Sequence, residues 1–389
     1  MDWRSRDTAL ALCALAYFGT RFSEFVVSPL VPSVTDGLGT TTGVLGVGFT
    51  AMTAGYALVQ LPSGMLGDRV GERRVVLGSL AATAIGSLGL ALAPSPITFV
   101  LAMTLLGLAT GVYYTPATTL LTNLHAETGR AIGVHRIGGQ AVGLTAPVVA
   151  LVGVQFGWRV ALALGAVVAV PVLVGFAALV RPVPRTDGGT ARPRPDVAAL
   201  VELLSRRDLA LATGIASLGQ FADVATFSFL LAVLEEHHGF APATAGALFA
   251  LYFAVLTIGQ PAVGWLSDEI GRGSTTVSAL AAGAFGYVLL AVRTDLVAAA
   301  LATCLVGVGM TWSPPVQSRI VDTLNADERG VGFGLVRTVY ILVGSLGGVV
   351  VGSVATRAGW SAALSLLAGC VALGALLAGA EGTVANRVE

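Results

Sequence analysis

The chain has 389 residues, of which 55% are hydrophobic and 11% are charged, with a formal net charge of zero at pH 7 and a mean hydropathy of +0.82. So apolar a composition excludes an ordinary soluble globular domain, and the balanced charge argues against nucleic acid as a partner. The composition predicts an all-α polytopic protein whose first partner is the lipid bilayer.

Apolar segments follow one another along the whole chain. Each has about the 20 residues that a helix needs to cross a hydrocarbon layer of about 30 Å. We therefore predict twelve transmembrane helices, at residues 8–34, 42–66, 75–94, 96–122, 130–154, 158–180, 208–234, 243–266, 274–292, 295–321, 330–355 and 359–380.

The longest polar segment separates the sixth and seventh predicted helices. It carries four prolines and a Gly-Gly pair, which are unsuited to a buried helix. We predict an amino-terminal six-helix bundle at 1–180, a cytoplasmic linker at 181–207 and a carboxy-terminal six-helix bundle at 208–389. The end of the linker fits either an interfacial amphipathic helix or a cytoplasmic start to the seventh span.

A short charged turn between the second and third apolar segments recurs in the second half of the chain, at a constant offset of 200 residues. The matching residues are Gly64, Asp68 and Gly71 in the first copy and Gly264, Asp268 and Gly271 in the second. A repeat of this kind predicts two bundles of one fold, related by pseudo-symmetry.

The arginines predict the orientation of the chain. Most of them flank one end of the predicted helices, and the opposite side has only Arg159, Arg293 and Arg357. By the positive-inside rule, both termini and the repeated turn lie in the cytoplasm. The prediction is a multi-pass protein of the plasma membrane.

Together these features resemble the major facilitator superfamily of secondary transporters, and the resemblance covers nearly the whole chain. The loop signature of that family, a glycine followed by an aspartate, a basic residue, a second glycine and further basic residues, is matched by Gly64, Asp68, Arg69, Gly71, Arg73 and Arg74. In the second copy, Glu269 stands where the first basic residue is usual. The resemblance implies two bundles that open alternately to the two sides of the membrane and move a small organic solute.

The resemblance also implies a gate that holds the cytoplasmic side closed. Its residues would be those of the signature together with Glu127, Asp268, Gly271, Arg272 and Asp327. Arg73 or Arg74 is expected to pair with Glu127, and Asp68 is expected at the start of the eleventh helix, where the helix dipole favours an anion. The alternative is that the turn only sets the topology.

Two acidic residues lie inside predicted membrane helices, Glu24 in the first and Asp223 in the seventh. A charge at this depth costs about 3 kcal/mol even on lenient insertion scales, so each is a functional candidate. An alignment of the halves at an offset of 199 residues superimposes the two. We predict that they carry coupled protons. The alternative for Glu24 is a packing pair with Arg21, three residues earlier on the same helix face, or contact with the outer interface.

Polar and aromatic side chains in the predicted helices are candidates for solute binding. They are Arg21, Tyr113, Tyr114, Gln140, Gln220, Trp312, Arg337 and Tyr340. Arg136 and Arg337 either bind an anionic group in two-pronged fashion or extend to the cytoplasm. The aromatic residues lie beside proline bends, where they either stack on a solute or pack against neighbouring helices.

The sequence predicts no catalytic residue, no metal site and no cofactor. The run Glu235-Glu236-His237-His238 is predicted to be a solvated loop, because adjacent residues rarely converge on one metal ion. We expect a monomer that binds a small solute and protons. Efflux of drug-like compounds and uptake of an organic anion both remain open. The alternative class is a membrane enzyme or sensor without transport, but no cluster of nucleophilic or acid-base residues stands out.

Overall fold

The computed structural model describes residues 3–125, 128–181, 202–324 and 329–385. These residues form helices and no strand. In the first half the helices are Trp3–Phe25, Ser28–Leu30, Val31–Leu38, Thr42–Val70, Glu72–Leu92, Pro96–Gly111, Tyr114–Leu124, Thr128–Gln140, Ala141–Thr145, Ala146–Phe156 and Trp158–Leu179. In the second half they are Arg207–Ala232, Val233–His237, Pro242–Ile270, Arg272–Val292, Leu296–Gly309, Met310–Trp312, Ser313–Thr323, Arg329–Ala358 and Trp360–Ala385.

Twelve helical segments of the described residues are long and apolar enough to cross a membrane. We number them as spans 1 to 12: Arg6–Leu38, Thr42–Gln60, Glu72–Leu92, Pro96–Leu121, Val134–Phe156, Trp158–Leu179, Arg207–His237, Pro242–Ile270, Arg272–Val292, Leu296–Thr323, Gly332–Ala358 and Trp360–Ala380. This arrangement confirms the predicted all-α fold with twelve membrane helices.

The chain divides into two compact units, Met1–Thr190 and Ala191–Glu389, with six spans in each. In the first unit, span 1 packs against spans 5 and 6, span 2 against span 4, and span 3 against span 6. In the second unit, span 7 packs against spans 11 and 12, span 8 against span 10, and span 9 against span 12. The repeat in the sequence is therefore also a repeat in helix packing. Most of the predicted linker lies outside the described residues.

Glycines set the turn that the sequence repeats. The helix Thr42–Val70 ends at Gly71, which has a φ of +93° and donates its N–H to the carbonyl of Gly67 at 2.8 Å. Gly271 has a φ of +92° at the same place in the second unit. Side chains with a Cβ rarely adopt such angles, so glycine allows the chain to reverse between two spans without a longer loop.

The signature residues are mainly helical, which corrects the prediction of a charged loop. Gly64, Asp68 and Arg69 all lie on the last turns of the helix Thr42–Val70, and only Gly71 separates it from the next helix. The physical reason is that a single glycine with positive φ is enough to end one helix and admit the next.

Two other glycines allow close contact between helix backbones. A Cβ on Gly138 of span 5 would lie 2.0 Å from the carbonyl oxygen of Ala14 in span 1. A Cβ on Gly347 of span 11 would lie 2.2 Å from the carbonyl oxygen of Phe221 in span 7. Small residues at such crossings let membrane helices approach closely, and here they fix spans 1 and 7, which carry the acidic residues, against their neighbours.

Candidate functional site

Glu24 is a buried carboxylate in span 1 with two partners. The guanidinium of Arg21, one turn earlier, forms an ion pair with Oε2, and the hydroxyl of Thr110 in span 4 donates to Oε1. The side chain of Arg21 is 32% exposed, whereas that of Glu24 is 4% exposed. The arginine therefore covers the carboxylate and presents its own charge to the exposed side.

Aromatic rings lie near Arg21, and one of them is also within electrostatic range of a second cation. Its guanidinium carbon lies 5.8 Å from the ring centroid of Tyr56 in span 2, which is within the range of a cation–π contact. Tyr17 lies within electrostatic range of both Arg21 and Arg136. The first unit thus combines two arginines with phenol rings, a set of groups that can bind a planar anion.

Tyr113 belongs to a buried cluster in the same unit. Its ring stacks on Tyr17 with centroids 6.0 Å apart, and its hydroxyl donates to the carbonyl of Cys13 at 2.6 Å. The Nε2 atom of His135 lies 3.1 Å from that hydroxyl. Since the phenol gives its one proton to Cys13, His135 is the donor to Tyr113. In this structure the contacts of Tyr113 are those of a packing residue, which was one of the two alternatives.

Tyr114 differs from its neighbour because it is only partly buried. Its ring lies 5.4 Å from Tyr17 and 5.6 Å from His135. Gln140, at the end of the helix Thr128–Gln140, is also partly buried. Both side chains retain surface that a solute can contact.

Asp223 in span 7 has a different environment. The hydroxyl of Tyr252 in span 8 lies 3.4 Å from its Oδ1 atom. Tyr287 of span 9 is within electrostatic range, and its own hydroxyl lies 2.5 Å from that of Thr226. Gln220 precedes Asp223 by three residues, where the first unit has Arg21. The second unit therefore places two phenols near its carboxylate.

The other candidates of the second unit form a cluster that includes a residue missed in the sequence. The amide of Gln317 donates to the hydroxyls of Ser313 at 2.7 Å and Tyr340 at 3.3 Å. Trp312 meets Tyr340 edge to face with centroids 6.0 Å apart, and both side chains are buried. Gln317 is one helical turn after Ser313, and this spacing in an apolar span was the available signal.

Gln220 and Arg337 are both partly buried. Gln220 packs where spans 7 and 11 cross, because a Cβ on Gly344 would lie 2.5 Å from its Cγ atom. Arg337 is in span 11, seven residues before Gly344. The structure thus places both residues on the pair of spans that carries Asp223.

The arginine of each turn is anchored within its own unit, in two different ways. In the first unit, Arg73 donates to the carbonyls of Val180 at 2.5 Å and Ala177 at 2.6 Å, at the end of span 6. In the second, the Nε atom of Arg272 lies 2.6 Å from Oδ2 of Asp322, and Asp268 lies 3.8 Å from the same guanidinium. A cation at the carboxyl end of a helix is stabilised by the helix dipole.

Glu127 and Asp327 lie outside the described residues, as does the side chain of Asp68. The pairing of Arg73 or Arg74 with Glu127 therefore stays a prediction, as does the contact of Asp68 with the eleventh helix.

The acidic and histidine run Glu235-Glu236-His237-His238 lies at the end of span 7 and is mainly helical, whereas the sequence predicted a loop. The helix continues as a π-helical turn, Val233–His237, and Glu236 accepts a hydrogen bond from the indole of Trp360 at 2.8 Å. Burial and the neighbouring His237 lower the pKa of His238. The helix extends through the run because apolar residues precede Glu235, while the Glu236 side chain itself is exposed. Among the described residues, no group of three potential metal ligands is found.

A model of the Major Facilitator Superfamily matches residues 13–222 and 209–381. The chain belongs to this superfamily. The family expected from the repeated signature is thus confirmed, and with it a multi-pass membrane protein.

Several characterised relatives of this superfamily member are transporters of small molecules. It is 29% identical over 171 residues to a probable sulfoacetate transporter of Cupriavidus necator, and 28% identical over 253 residues to the alpha-ketoglutarate permease of Escherichia coli. It is 32% identical over 170 residues to the cephamycin export protein CmcT of Amycolatopsis lactamdurans. The matches cover 42%, 60% and 43% of this chain, and they span only 39%, 56% and 35% of these relatives.

Solved structures of superfamily transporters share the whole fold. A mutant of the nucleoside transporter NupG superimposes with a TM-score of 0.83 at 15% identity, covering 96% of this chain and 99% of that one. A bacterial homolog of the human lysosomal transporter Spinster, inward-facing and occupied, has a TM-score of 0.83 at 16% identity, covering 100% and 98%. At such low identity the likeness concerns the fold alone.

Proposed function

We propose that the protein is a secondary transporter of the plasma membrane that takes up a small organic anion together with protons, by alternating access of its two bundles. Both termini would lie in the cytoplasm. Glu24 and Asp223 are the proton-carrying residues of this proposal, and Arg21 is the group that binds the anion.

The observation that carries the proposal is the arrangement of Arg21 over Glu24. A buried ion pair is stable only while both charges are matched, and removal of one partner leaves an uncompensated buried charge. An anion that approaches from the exposed side meets the guanidinium first. If it draws Arg21 away, Glu24 is left in a buried place where a carboxylate is neutralised by a proton. Anion binding and proton binding would then support each other.

The surrounding groups favour an anion with a planar or carboxylate-like head. Arg136 supplies a second positive charge, and Tyr17, Tyr56 and Tyr114 supply ring faces and hydroxyls. A guanidinium binds carboxylate, sulfonate or phosphate through two parallel hydrogen bonds. Two of the relatives are named for such anions, sulfoacetate and alpha-ketoglutarate.

The second unit has polar candidates of its own. Asp223 is the pseudo-symmetric counterpart of Glu24, and Tyr252 is its phenol partner. Gln220, Trp312, Arg337 and Tyr340 are retained as candidates for solute contact, and we add Gln317 because its amide joins two hydroxyls of this cluster.

The charged residues at the two turns would close the cytoplasmic side. Arg73 and Arg272 are each anchored to a neighbouring span of their own unit, which supports a rigid turn. Labelling of single cysteines at Arg74 and Glu269 with a membrane-impermeant reagent tests the orientation. Modification from the cytoplasmic side only is expected, and modification from outside the cell would contradict it.

Transport is tested with the purified chain in proteoliposomes, with radiolabelled sulfoacetate and alpha-ketoglutarate as probes. An inward proton gradient is expected to drive accumulation of at least one probe, and a protonophore to abolish it. Arg21→Ala is expected to reduce uptake at least tenfold. Glu24→Gln and Asp223→Asn are expected to retain exchange of internal for external probe but to lose the response to the gradient.

The matched control is Arg293→Ala, which removes an arginine from the outer loop after span 9 and should leave uptake unchanged. Gradient-independent uptake by the wild-type protein would contradict proton coupling. Proton-driven export of a cephamycin from the vesicles, with neither anion accumulated, would favour the efflux function of CmcT instead.

A further inference from the structure

Thr110 occupies a position with more acceptors than its hydroxyl can serve. The residue is buried in span 4, and its hydroxyl donates to Oε1 of Glu24. The same oxygen lies 3.0 Å from the carbonyl oxygen of Leu106 and 3.2 Å from that of Gly107, both one turn earlier in the same helix. A hydroxyl has a single proton, so these three contacts are alternatives.

The ionised form of Glu24 determines which alternative is used. A carboxylate only accepts hydrogen bonds, and a bond to a charged oxygen is about twice as strong as one between neutral groups. The proton of Thr110 therefore points to Glu24 while that residue pairs with Arg21. The carbonyl of Leu106 loses little, because it lies inside a helix where a backbone N–H can serve it.

Protonation of Glu24 reverses the direction of its hydrogen bond with Thr110. A carboxylic acid must donate its own proton, and the Thr110 oxygen has lone pairs that can accept it. The Thr110 proton can then turn to the carbonyl of Leu106, 3.0 Å away. This change is a rotation about one C–O bond, and no heavy atom has to move. Both protonation states of the buried carboxyl are thus satisfied by one hydroxyl.

We propose that Thr110 is a positioning residue for proton coupling, whose hydroxyl changes from donor to acceptor when Glu24 takes up a proton. This inference rests on the proposed role of Glu24 as a proton carrier. It applies to the first unit, because the residue 200 positions later is Met310, whose sulfur cannot donate a hydrogen bond. The sulfur of Met310 instead lies 3.9 Å from the hydroxyl of Tyr287.

The charged and titratable groups connected to Glu24 through Arg21 and Tyr17 lie on spans 1, 2 and 5. Arg21 faces Glu24 directly, and Tyr17 lies on the same helix within range of Arg21. Span 2 contributes Tyr56, and span 5 contributes Arg136. Since these groups stay in place when Thr110 is replaced, a change confined to the hydroxyl can be separated from a change in the ion pair.

The test uses three variants of the full chain. Thr110→Val keeps the shape of the side chain and removes the hydroxyl, and Thr110→Ser restores a hydroxyl. The matched control is Thr104→Val, because Thr104 is also in span 4 and its hydroxyl bonds to its own helix, at the carbonyl of Val100 at 2.9 Å. Thermal unfolding in detergent identifies any variant that fails to fold, and if Thr110→Val is one of them, Thr110→Ala, which also lacks the hydroxyl, takes its place in the comparison.

The first readout is the infrared band of the protonated Glu24 carboxyl, followed by acid titration of the purified protein and assigned by its loss in Glu24→Gln. This readout needs no solute. We expect the band at the frequency of a hydrogen-bonded acid in the wild type, Thr110→Ser and Thr104→Val, and a shift to the frequency of an unbonded acid in Thr110→Val. An identical band in Thr110→Val and Thr104→Val would overturn the inference, as would the absence of any band assigned to Glu24.

The second readout is the pH dependence of sulfoacetate uptake in proteoliposomes. Loss of the donor removes a bond that favours the ionised form, so the midpoint of uptake is expected to move up by about one pH unit in Thr110→Val and not in Thr104→Val. If no variant, including the wild type, accumulates sulfoacetate, the proposed function fails for that probe, and the infrared result still decides the role of Thr110.

Discussion

The two acidic residues of spans 1 and 7 occupy corresponding places in the two units, but Glu24 is buried, Asp223 is only partly buried, and their observed contacts differ. Glu24 is paired with a cation and a threonine hydroxyl. Asp223 has a tyrosine hydroxyl at 3.4 Å and glutamine at the place of the arginine. The repeat thus fixes where a carboxylate lies on a helix, and the residues around it differ between the two units. On the proposed function, we expect the first site to respond to both anions and protons, and Asp223 to respond to protons.

The largest loss of stability is expected from replacement of Arg21. Arg21→Ala leaves the Glu24 carboxylate buried without a cation, which should destabilise the first unit by about 3 kcal/mol near neutral pH. Thermal unfolding of the purified protein measures this. Gln220→Ala, at the corresponding place of the second unit, should cost less than about 1 kcal/mol.

The double variant Arg21→Ala with Glu24→Gln distinguishes loss of charge balance from loss of packing. Replacement of the carboxylate removes the unpaired charge, so most of the stability should return. Acidification should rescue Arg21→Ala for the same reason. If the double variant is as unstable as the single one, the ion pair is not what distinguishes the two units.

A smaller effect is expected from the phenol that faces Asp223. Tyr252→Phe removes one hydrogen bond of 3.4 Å, which should cost about 1 kcal/mol or less. Its effect on the proton dependence of uptake should exceed its effect on unfolding. A loss of stability as large as that of Arg21→Ala would mean that both carboxylates are held equally firmly.

The turns at Gly71 and Gly271 offer a second contrast. Arg73→Ala removes two charged hydrogen bonds to the end of span 6 and should cost about 1–2 kcal/mol. Arg272 and Asp322 form a largely exposed ion pair, so Asp322→Ala should cost about 0–1 kcal/mol, and high salt should reduce the cost. Unfolding at low and high salt measures both. If Arg73→Ala and Asp322→Ala lose the same stability, and the loss does not depend on salt, the anchors of Arg73 and Arg272 do not differ.

The smallest expected effect concerns the carboxy-terminal ends of spans 1 and 7, since only span 7 ends in a histidine. Folding lowers the pKa of His238 from 6.5. Its neutral form therefore supports the fold above about pH 6.5, and stability is lost as the pH falls from there through the lower folded value. His238→Gln should remove this acid sensitivity, with a change of about 1–2 °C in the unfolding midpoint between pH 7 and pH 5. An unchanged slope would exclude His238 as its source.

The sequence was sufficient to predict the helices and some of the contacts between residues one helical turn apart. Apolar runs determine the twelve spans, and Arg21 and Glu24 can be expected to meet because they are three residues apart on one helix. The repeated glycines also predicted where the chain reverses, although the helix before Gly71 proved longer than expected.

The contacts between helices depend on how each helix is rotated about its own axis, and the sequence of the helix hardly indicates this rotation. Nearly every face of these helices is apolar, so nothing local distinguishes the fully buried Tyr113 from the partly buried Tyr114. Thr110 is 86 residues from Glu24, and a threonine in a membrane helix commonly bonds only to its own backbone. Tertiary packing alone brings these two residues together.

The contact of Gly138 with the Ala14 backbone has a consequence for how the carboxylate of Glu24 reaches water. Two backbones in contact cannot rotate past each other, so span 1 must carry span 5 with it whenever it moves. Arg21 and Glu24 of span 1 would then move together with Arg136 of span 5. Hydration of this group would come from a crevice that opens in front of it, while its internal geometry stays unchanged.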